Sequence, residues 1–419
     1  MGTLHEAYWA STGYGSSRRQ RQSGTYRWFL PSRIADSNPT LSFSTVALVT
    51  AASERISQAP EDHRVYTDGI TRMLLRSEAV GSSHIEGLVI SSKRLLRAEL
   101  HDLEPDNVRY DASAAAVLGN IHAMEKAREL AQETATFDVD VLKRVHAELC
   151  RGTEIEPYGG VVRTTQNWVG GSSYNPLSAE YVPPAPEEVE GLLEDLAVYI
   201  NRDDVPAIIQ AAVAHAQFES IHPFADGNGR CGRALIQIVL QRRGIPVSSI
   251  PPISLALATA KGDYLQALGA FQHCLSPEEE AAALDGWVSV FCECALLACD
   301  DMDDIRRDLR TIRTRWEERL GGVRRGSAVN LMLDEMQAMP YFTCETMEKA
   351  IGRSKQAVAL AVTKLLECGV IAQTNKGKRR RVFECPDILE EFNLVERRLA
   401  SPARDTSSCR PNRPVPARG

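Results

Sequence analysis

The chain has 419 residues, 43% hydrophobic and 25% charged, which is ordinary globular composition and enough for two or three domains. Its formal net charge of −7 gives no electrostatic case for wholesale binding to nucleic acid or membranes. No apolar run approaches the roughly 20 residues that span a bilayer, the N-terminus has no apolar signal core, and the ten cysteines are not paired at metal spacing, so a cytoplasmic protein with reduced core thiols is expected.

In chain order, residues 1–40 are rich in Ser, Gly and Arg and are expected to be poorly ordered. Residues 41–130 read as an N-terminal helical region and 131–300 as a mainly helical core. Residues 301–325 continue a long helical connector that starts apolar and ends in alternating charge. A small domain is expected over 326–395. The tail, 396–419, turns Pro- and Arg-rich and is expected to be disordered.

"VGSSHIEGLVIS" (80–91) lies in the first helical region. Taken alone, Ser83-x-x-Glu86 fits a capping box at a helix start. The core has one non-helical island, "YGGVVRTTQNWVGGSSYNPLSAEYVPP" (158–184), where β-branched and aromatic residues alternate with Gly-Gly pairs and Pro. That composition favours a hairpin or flap between helices.

"IHPFADGNGRCGR" (221–233) carries the chemistry. It contains G-x-G-x-x-G, but an Ala-rich helical stretch precedes it where a dinucleotide fold needs a strand. Walker A and H-E-x-x-H patterns are absent from the sequence. What remains is helix, loop, helix. Backbone N–H groups at a helix start attract anions, and the glycines around Asn228 allow an anion nest. Arg230 and Arg233 project from the first helical turn, where positive charge opposes the helix dipole unless a polyphosphate faces it. Asp226 suits Mg²⁺ beside phosphates, and His222 suits a general base. Singly, each residue has a structural explanation; together they point to phosphate.

These residues resemble the Fic motif, H-P-F-x-[DE]-G-N-G-R-x-x-R, with every position matched. The resemblance extends over about 40–300. It implies a mainly α fold, a helical Fic core with a β-hairpin flap, and transfer of AMP from ATP to a Ser, Thr or Tyr hydroxyl of a target protein. It implies His222 as general base and Asp226 as ligand of Mg²⁺ or Mn²⁺. The ATP phosphates would be bound by Gly227, Asn228, Gly229, Arg230, Cys231, Gly232 and Arg233, with Tyr264 bordering the adenine. Thr165, Gln166, Asn167 and Trp168 would form the target-docking flap. Ser82, Glu86 and Gly87 match the inhibitory pattern [S/T]-x-x-x-E-[G/N], on an inhibitory helix over 82–87. In that pattern Glu86 pairs with Arg233, restrains transfer, and in some relatives positions a water that removes AMP. Self-modification and homodimerisation are further partners to consider.

"SAVNLMLDEMQAMPYFTCETMEKAIGRSKQAVALAVTKLLECGVIAQTNKGKRRRVFEC" (327–385) resembles a winged helix-turn-helix. Lys355 and Gln356 lie on its recognition helix, and Lys376, Lys378, Arg379, Arg380 and Arg381 on its wing. DNA contact and protein contact are both open. The alternatives to adenylyl transfer are therefore a DNA-binding regulator with a nucleotide-sensing core, or transfer of a different nucleotide or phosphorylated group.

Overall fold

A computed structural model of the chain describes residues 2–11, 13–58, 64–103, 111–375, 381–401, 404–406 and 409–415. It is mainly helical. It begins with β1 (Thr3–Trp9) and β2 (Gly24–Leu30), then α1 (Phe43–Ser57), α2 (Arg64–Ile85), α3 (Ser92–Leu103) and α4 (Ala112–Glu133). Next come α5 (Val139–Cys150), α6 (Pro186–Ile200), α7 (Ala207–Ile221), α8 (Asn228–Arg242), α9 (Ile253–Thr259) and α10 (Lys261–Phe271). A 43-residue helix, α11 (Pro277–Arg319), precedes α12 (Ala328–Ala338), β3 (Tyr341–Thr343), α13 (Cys344–Ile351) and α14 (Lys355–Glu367). The chain then forms β4 (Ala372–Gln373), β5 (Val382–Glu384) and α15 (Pro386–Ala400). These elements form two compact units: residues 1–55, 122–245 and 261–294, and residues 56–121, 246–260 and 295–419.

The first unit is organised around α7. From Ile208 to Ile221 every residue of this helix is buried, which is the pattern of a helix surrounded by protein on all sides. Its small residues admit close neighbours: Trp287 donates its indole N–H to the Ala212 carbonyl at 2.8 Å. On the facing helix, a side chain at Gly232 would run into Glu219 and Phe218. Gly232 therefore sets how closely α8 lies on α7.

The N-terminal segment departs from expectation. Thr3–Trp9 and Gly24–Leu30 pair antiparallel over seven positions, His5 stacks on Trp28 at 4.3 Å, and Phe29 enters the core with Tyr181 and Cys274. The Ser/Gly/Arg-rich residues are concentrated in the turn between the strands, so a composition averaged over 1–40 hid two strand-like stretches. The flap also differs. Residues 158–184 contain no regular strand, only isolated bridges such as Val169 with Tyr181 and Ser172 with Asn175. Gly170 and Gly171 at positive φ, followed by Pro183-Pro184, interrupt continuous pairing.

The second unit is organised around α2, buried at nearly every position from Ile70 to Ser83. Glu78 accepts the Ser254 N–H and hydroxyl at 2.7 and 2.5 Å, so a side chain of α2 supplies the start of α9. Glu99 of α3 accepts from Arg72 and Arg76 of α2 at 2.8 and 2.9 Å. Near its C-terminus this unit has a three-stranded antiparallel sheet in the order β3-β5-β4, with Phe342 opposite Phe383. Thr343 and Thr346 form a capping box for α13, Gly352 ends it in a left-handed turn, and Ser354 caps α14. Lys376, Lys378, Arg379 and Arg380 lie outside the described residues.

One helix, α11, is long and apolar enough by length and composition to cross a membrane, with mean hydropathy 1.6 over its most apolar window. This corrects the expectation that no such run exists. Half of that window is buried within the protein, and Trp287, Phe291, Cys292, Ala295 and Cys299 are fully buried, so its apolar character is that of a core helix. All ten cysteines are free thiols and seven are buried.

Gly81 gives the sharpest packing test. A Cβ there would lie 2.5 Å from the Leu255 backbone N and Cα, atoms that cannot move aside like a side-chain end. Gly81→Ala should therefore destabilise the protein by about 1–3 kcal/mol in urea unfolding, in spite of the better helix propensity of alanine.

Candidate active site

The site is built where α7 ends and α8 begins. His222 terminates α7 at φ 50°, ψ 59°, a left-handed conformation that is rare outside glycine. Such strain persists only when surrounding contacts impose it. Here they are identifiable. The Arg163 Nε donates to the His222 carbonyl at 2.9 Å, and the Asn167 amide donates to the same oxygen at 3.3 Å and to the Phe224 carbonyl at 2.9 Å. Arg163 also donates to the carbonyls of Pro184 at 2.6 Å and Ile221 at 3.3 Å. The base of the flap is thus fastened to the histidine turn.

The His222 ring faces back over its own helix. Nδ1 is 3.3 Å from the Glu219 carbonyl oxygen and 4.0 Å from its carboxylate. Donation from Nδ1–H to that carbonyl sets the tautomer and leaves the basic lone pair on Nε2.

The loop beyond is held from within. The Asn228 amide accepts the Phe224 N–H at 2.8 Å and donates to the Phe224 carbonyl at 2.8 Å. Both ends of a side chain expected to orient a phosphate therefore close the loop instead. Beneath it sits His146, which the sequence reading did not single out. Its Nε2–H donates to the Asp226 carbonyl at 2.8 Å and its Nδ1 accepts the Gly160 N–H at 3.0 Å. The ring stacks on Phe224 at 3.8 Å. A Cβ on Gly227, which sits at φ 78°, would come within 3.0 Å of Leu149 and 3.3 Å of His146 Nε2, so this turn requires glycine.

Above this support α8 begins with two buried arginines, Arg230 and Arg233. Gly227 is the N-cap of α8 and contributes no side-chain cap, so the N–H groups of Asn228, Gly229 and Arg230 begin a helix without one. Arg230 is 8% exposed, and its Nε has no hydrogen-bond partner among the described residues. Asp226 is exposed, and its Oδ1 accepts the Gly227 N–H at 2.5 Å. One outward carboxylate is what a cation carried in with phosphates requires, since Mg²⁺ is commonly held by one or two carboxylates with the rest from water and phosphate oxygens. Among the described residues no group of three or more His, Cys, Asp or Glu is placed to hold a metal by itself.

Other expected site residues fall elsewhere. Cys231 is fully buried, with burial pushing its thiol pKa well up. Gly232 serves helix packing. Tyr264 is 2% exposed and bonds His215 Nε2 through its hydroxyl at 3.1 Å, between His215 and Trp287. It is a core residue here, not the open edge of a base pocket, because its position on α10 turns it inward. Arg233 is 1% exposed and already engaged. In the flap, the Gln166 amide donates to the Pro183 carbonyl at 2.9 Å, the Trp168 indole donates to the Ser172 carbonyl at 2.6 Å, and Thr165 offers its carbonyl to Arg163 at 3.3 Å. Arg163 was missed because an Arg between β-branched residues reads as an exposed strand position, and His146 because it falls on the apolar face of α5.

The segment carrying Ser82, Glu86 and Gly87 ends α2 and does not start a helix. Leu88 N–H bonds the Ser83 carbonyl and Gly87 N–H the His84 carbonyl, both at 3.0 Å, with Gly87 at φ 79°. This is a Schellman termination, which overturns the capping-box reading of Ser83 and Glu86. Ser82 is buried and Glu86 is exposed.

His146 sets an acid limit on the loop. Burial lowers its pKa from the usual 6.5 to about 4, with the Asp226 carbonyl acting against and Arg230 adding to the effect. The unfolded chain protonates first, so this contribution is complete above pH 6.5 and is lost as pH falls toward 4. Wild type should lose about 2–3 kcal/mol over that range beyond the loss seen for His146→Gln, read from urea unfolding at each pH.

Family models for the Fic/DOC family match residues 136–240, and for the Fic/DOC family N-terminal region residues 62–129. The chain is 32% identical over 125 residues to protein adenylyltransferase fic-1 of Caenorhabditis briggsae, covering 29% of this chain and 23% of that protein. It is 36% identical over 96 residues to protein adenylyltransferase Fic of Drosophila grimshawi, covering 22% and 18%. The chain therefore spans less than a quarter of the length of these curated relatives. Among solved structures, a Fic family protein from Desulfovibrio desulfuricans G20 aligns with a TM-score of 0.49 and 16% identity, over 83% of this chain and 98% of that one. The histidine turn and the start of α8 fall within residues 136–240, the stretch that matches the Fic/DOC family model, and residues 62–129 match the model of that family's N-terminal region.

Proposed function

We propose that this protein is an adenylyltransferase that moves AMP from ATP to a hydroxyl of a target protein. The observation that carries this reading is the start of α8. A buried guanidinium whose Nε has no hydrogen-bond partner among the described residues stands beside helix N–H groups without a side-chain cap, an arrangement that suits an anion. The relatives named above are adenylyltransferases, which supports ATP as the AMP donor.

In this mechanism the target hydroxyl oxygen attacks the α-phosphorus as its proton passes to His222 Nε2. The bond from the α-phosphorus to the bridging oxygen breaks, and pyrophosphate leaves toward Arg230 and the α8 N–H groups. Arg233 holds the γ-phosphate. Asp226 would hold Mg²⁺, which neutralises phosphate charge when bound. The protein forms no covalent bond to the nucleotide, so its contribution is one base, position and charge. The flap residues Thr165–Trp168 would present the target backbone beside His222, since Asn167 already bonds the His222 carbonyl. Replacing His222 by Ala should lower labelling of target protein by about 10²–10⁴-fold with nucleotide affinity nearly unchanged. Wild-type labelling by that variant would remove the mechanism.

Restraint by Glu86 belongs to the same reading. A carboxylate at the C-terminal end of α2 and arginines at the N-terminal end of α8 each oppose their own helix dipole. The two misplaced charges are complementary, and each makes electrostatic sense if Glu86 competes with the γ-phosphate for Arg233. Glu86→Gly should then raise self-labelling with little change in melting temperature, and adding Arg233→Ala should cancel the gain. Equal labelling by wild type and Glu86→Gly would limit Glu86 to ending its helix.

We also read residues 326–395 as a winged-helix module, supported by the order of α12 to α14 and the antiparallel strands. Its recognition helix would be α14, with Lys355 and Gln356 exposed at its start. Arg381, the described residue of the wing, stacks over Phe383 at 5.3 Å, which favours a fold-supporting role for that arginine over a DNA contact.

A further inference from the structure

In the second unit, α15 is strapped to the later part of α11 at two places. Near its start, Asp387 accepts the Trp316 indole N–H at 2.7 Å and pairs with Arg319 at 3.2 Å. Near its end, Arg398 pairs with Asp301 at 2.6 Å and Asp304 at 3.0 Å. Between these clamps the helices leave a partly open cavity of about 510 Å³. Carboxylates of Asp308, Asp387, Glu390 and Glu391 line it, against one basic residue, the exposed Arg315. Ile312 and Leu394 supply apolar wall.

Glu391 distinguishes this cavity from an ordinary acidic surface. It is 7% exposed, lines the cavity, and has neither a hydrogen bond nor an ion pair among the described residues. A buried carboxylate left this way is costly, and a protein of ordinary stability keeps such groups mainly where something else completes them. No metal-holding group of His, Cys, Asp or Glu occurs among the described residues, and the apolar walls suit a carbon chain.

We propose that this cavity is a binding site for an organic cation, a guanidinium or ammonium group on an aliphatic stem, with Glu391 as its counter-ion. The stem lies against Ile312 and Leu394, and the charged end meets Glu391 with Asp308 nearby. The same chemistry is offered by a free polyamine-type molecule and by an Arg or Lys side chain of a peptide. The proposal is independent of the adenylyl-transfer reading.

The site is also pH-sensitive. Burial and then Asp308 push the Glu391 carboxyl up to about 7, with Asp304 acting in the same direction and Arg398 and Arg307 opposing. Asp387, Glu390 and Arg315 are the other charged groups facing the cavity. A cation must bring Glu391 to its ionised form, so affinity rises with pH through about 7. In the empty protein the raised pKa makes the carboxylate a liability that appears as pH rises from the usual 4.5 and is complete above about 7.

The test is calorimetric titration of the full chain with butylguanidinium, spermidine, the peptide acetyl-Gly-Arg-Gly-amide and, as neutral control, butanol, at pH 6 and pH 8. Cation binding that is several-fold tighter at pH 8 is expected, with butanol silent. Glu391→Gln should weaken the cations by roughly tenfold at pH 8 and flatten the pH dependence. The same substitution should raise the melting temperature at pH 8 and leave it nearly unchanged at pH 4. Binding of butylguanidinium or spermidine without the peptide assigns a free cation, and binding of the peptide assigns a protein side chain. The proposal is overturned if no cation binds below about 10 mM, if Glu391→Gln binds as wild type does, or if Glu391→Gln lowers the melting temperature at pH 8.

Discussion

The carbonyl oxygen of His222 accepts from Arg163 and Asn167, and the geometry of the site follows from that pair of hydrogen bonds. A left-handed histidine costs about 1–2 kcal/mol on its own. The clamp holds it there, and the turn then sends the chain back over α7 so that α8 starts beside the histidine ring. His146 and Asn228 complete the support by fixing the loop from below and within. His146 and Asn228 brace the turn, while the Asp226 side chain remains exposed and Arg230 Nε has no hydrogen-bond partner among the described residues.

The chain tolerates electrostatic arrangements that a purely structural sequence would avoid. Arginine occupies the first turn of α8, glutamate the end of α2, and Glu391 a cavity wall with no ion pair among the described residues. Each is a local conflict between charge and surroundings, and consistency elsewhere makes such conflicts informative. The first two are the charges that the proposed function assigns to a polyphosphate and its competitor. Glu391, like Glu86, lies in the second unit, and a positive charge is what would complete it.

The helical character, the phosphate loop and the caps at Gly352 and Ser354 were legible in the sequence because each depends on residues within one turn of one another. His222, Asp226 and Arg230 were singled out for the same reason, and the structure places them at one helix-loop-helix junction. Arg163 and His146 were not, since their roles arise from partners about 60 to 80 positions away, and local spacing carries no record of those. Tyr264 was misplaced because an aromatic on a short helix reads alike whether it borders a ligand or a core. Ser83 and Glu86 fit a helix start in sequence, yet the left-handed Gly87 makes them a helix end. The strands at 3–9 and 24–30 were masked by the polar turn joining them.

That hairpin has a practical side. Its second strand donates the Phe29 N–H to the Val182 carbonyl at 2.9 Å, and Phe29 packs on Tyr181, whose hydroxyl bonds the Ser220 carbonyl two residues before His222. Trimming the first 40 residues as a dispensable leader, a routine step in preparing protein for crystallisation or assay, would uncover an aromatic side chain that braces the end of α7. A shortened protein with altered behaviour would then report damage to its own scaffold, and the chain with its first 40 residues is the proper reference for measurements made with it.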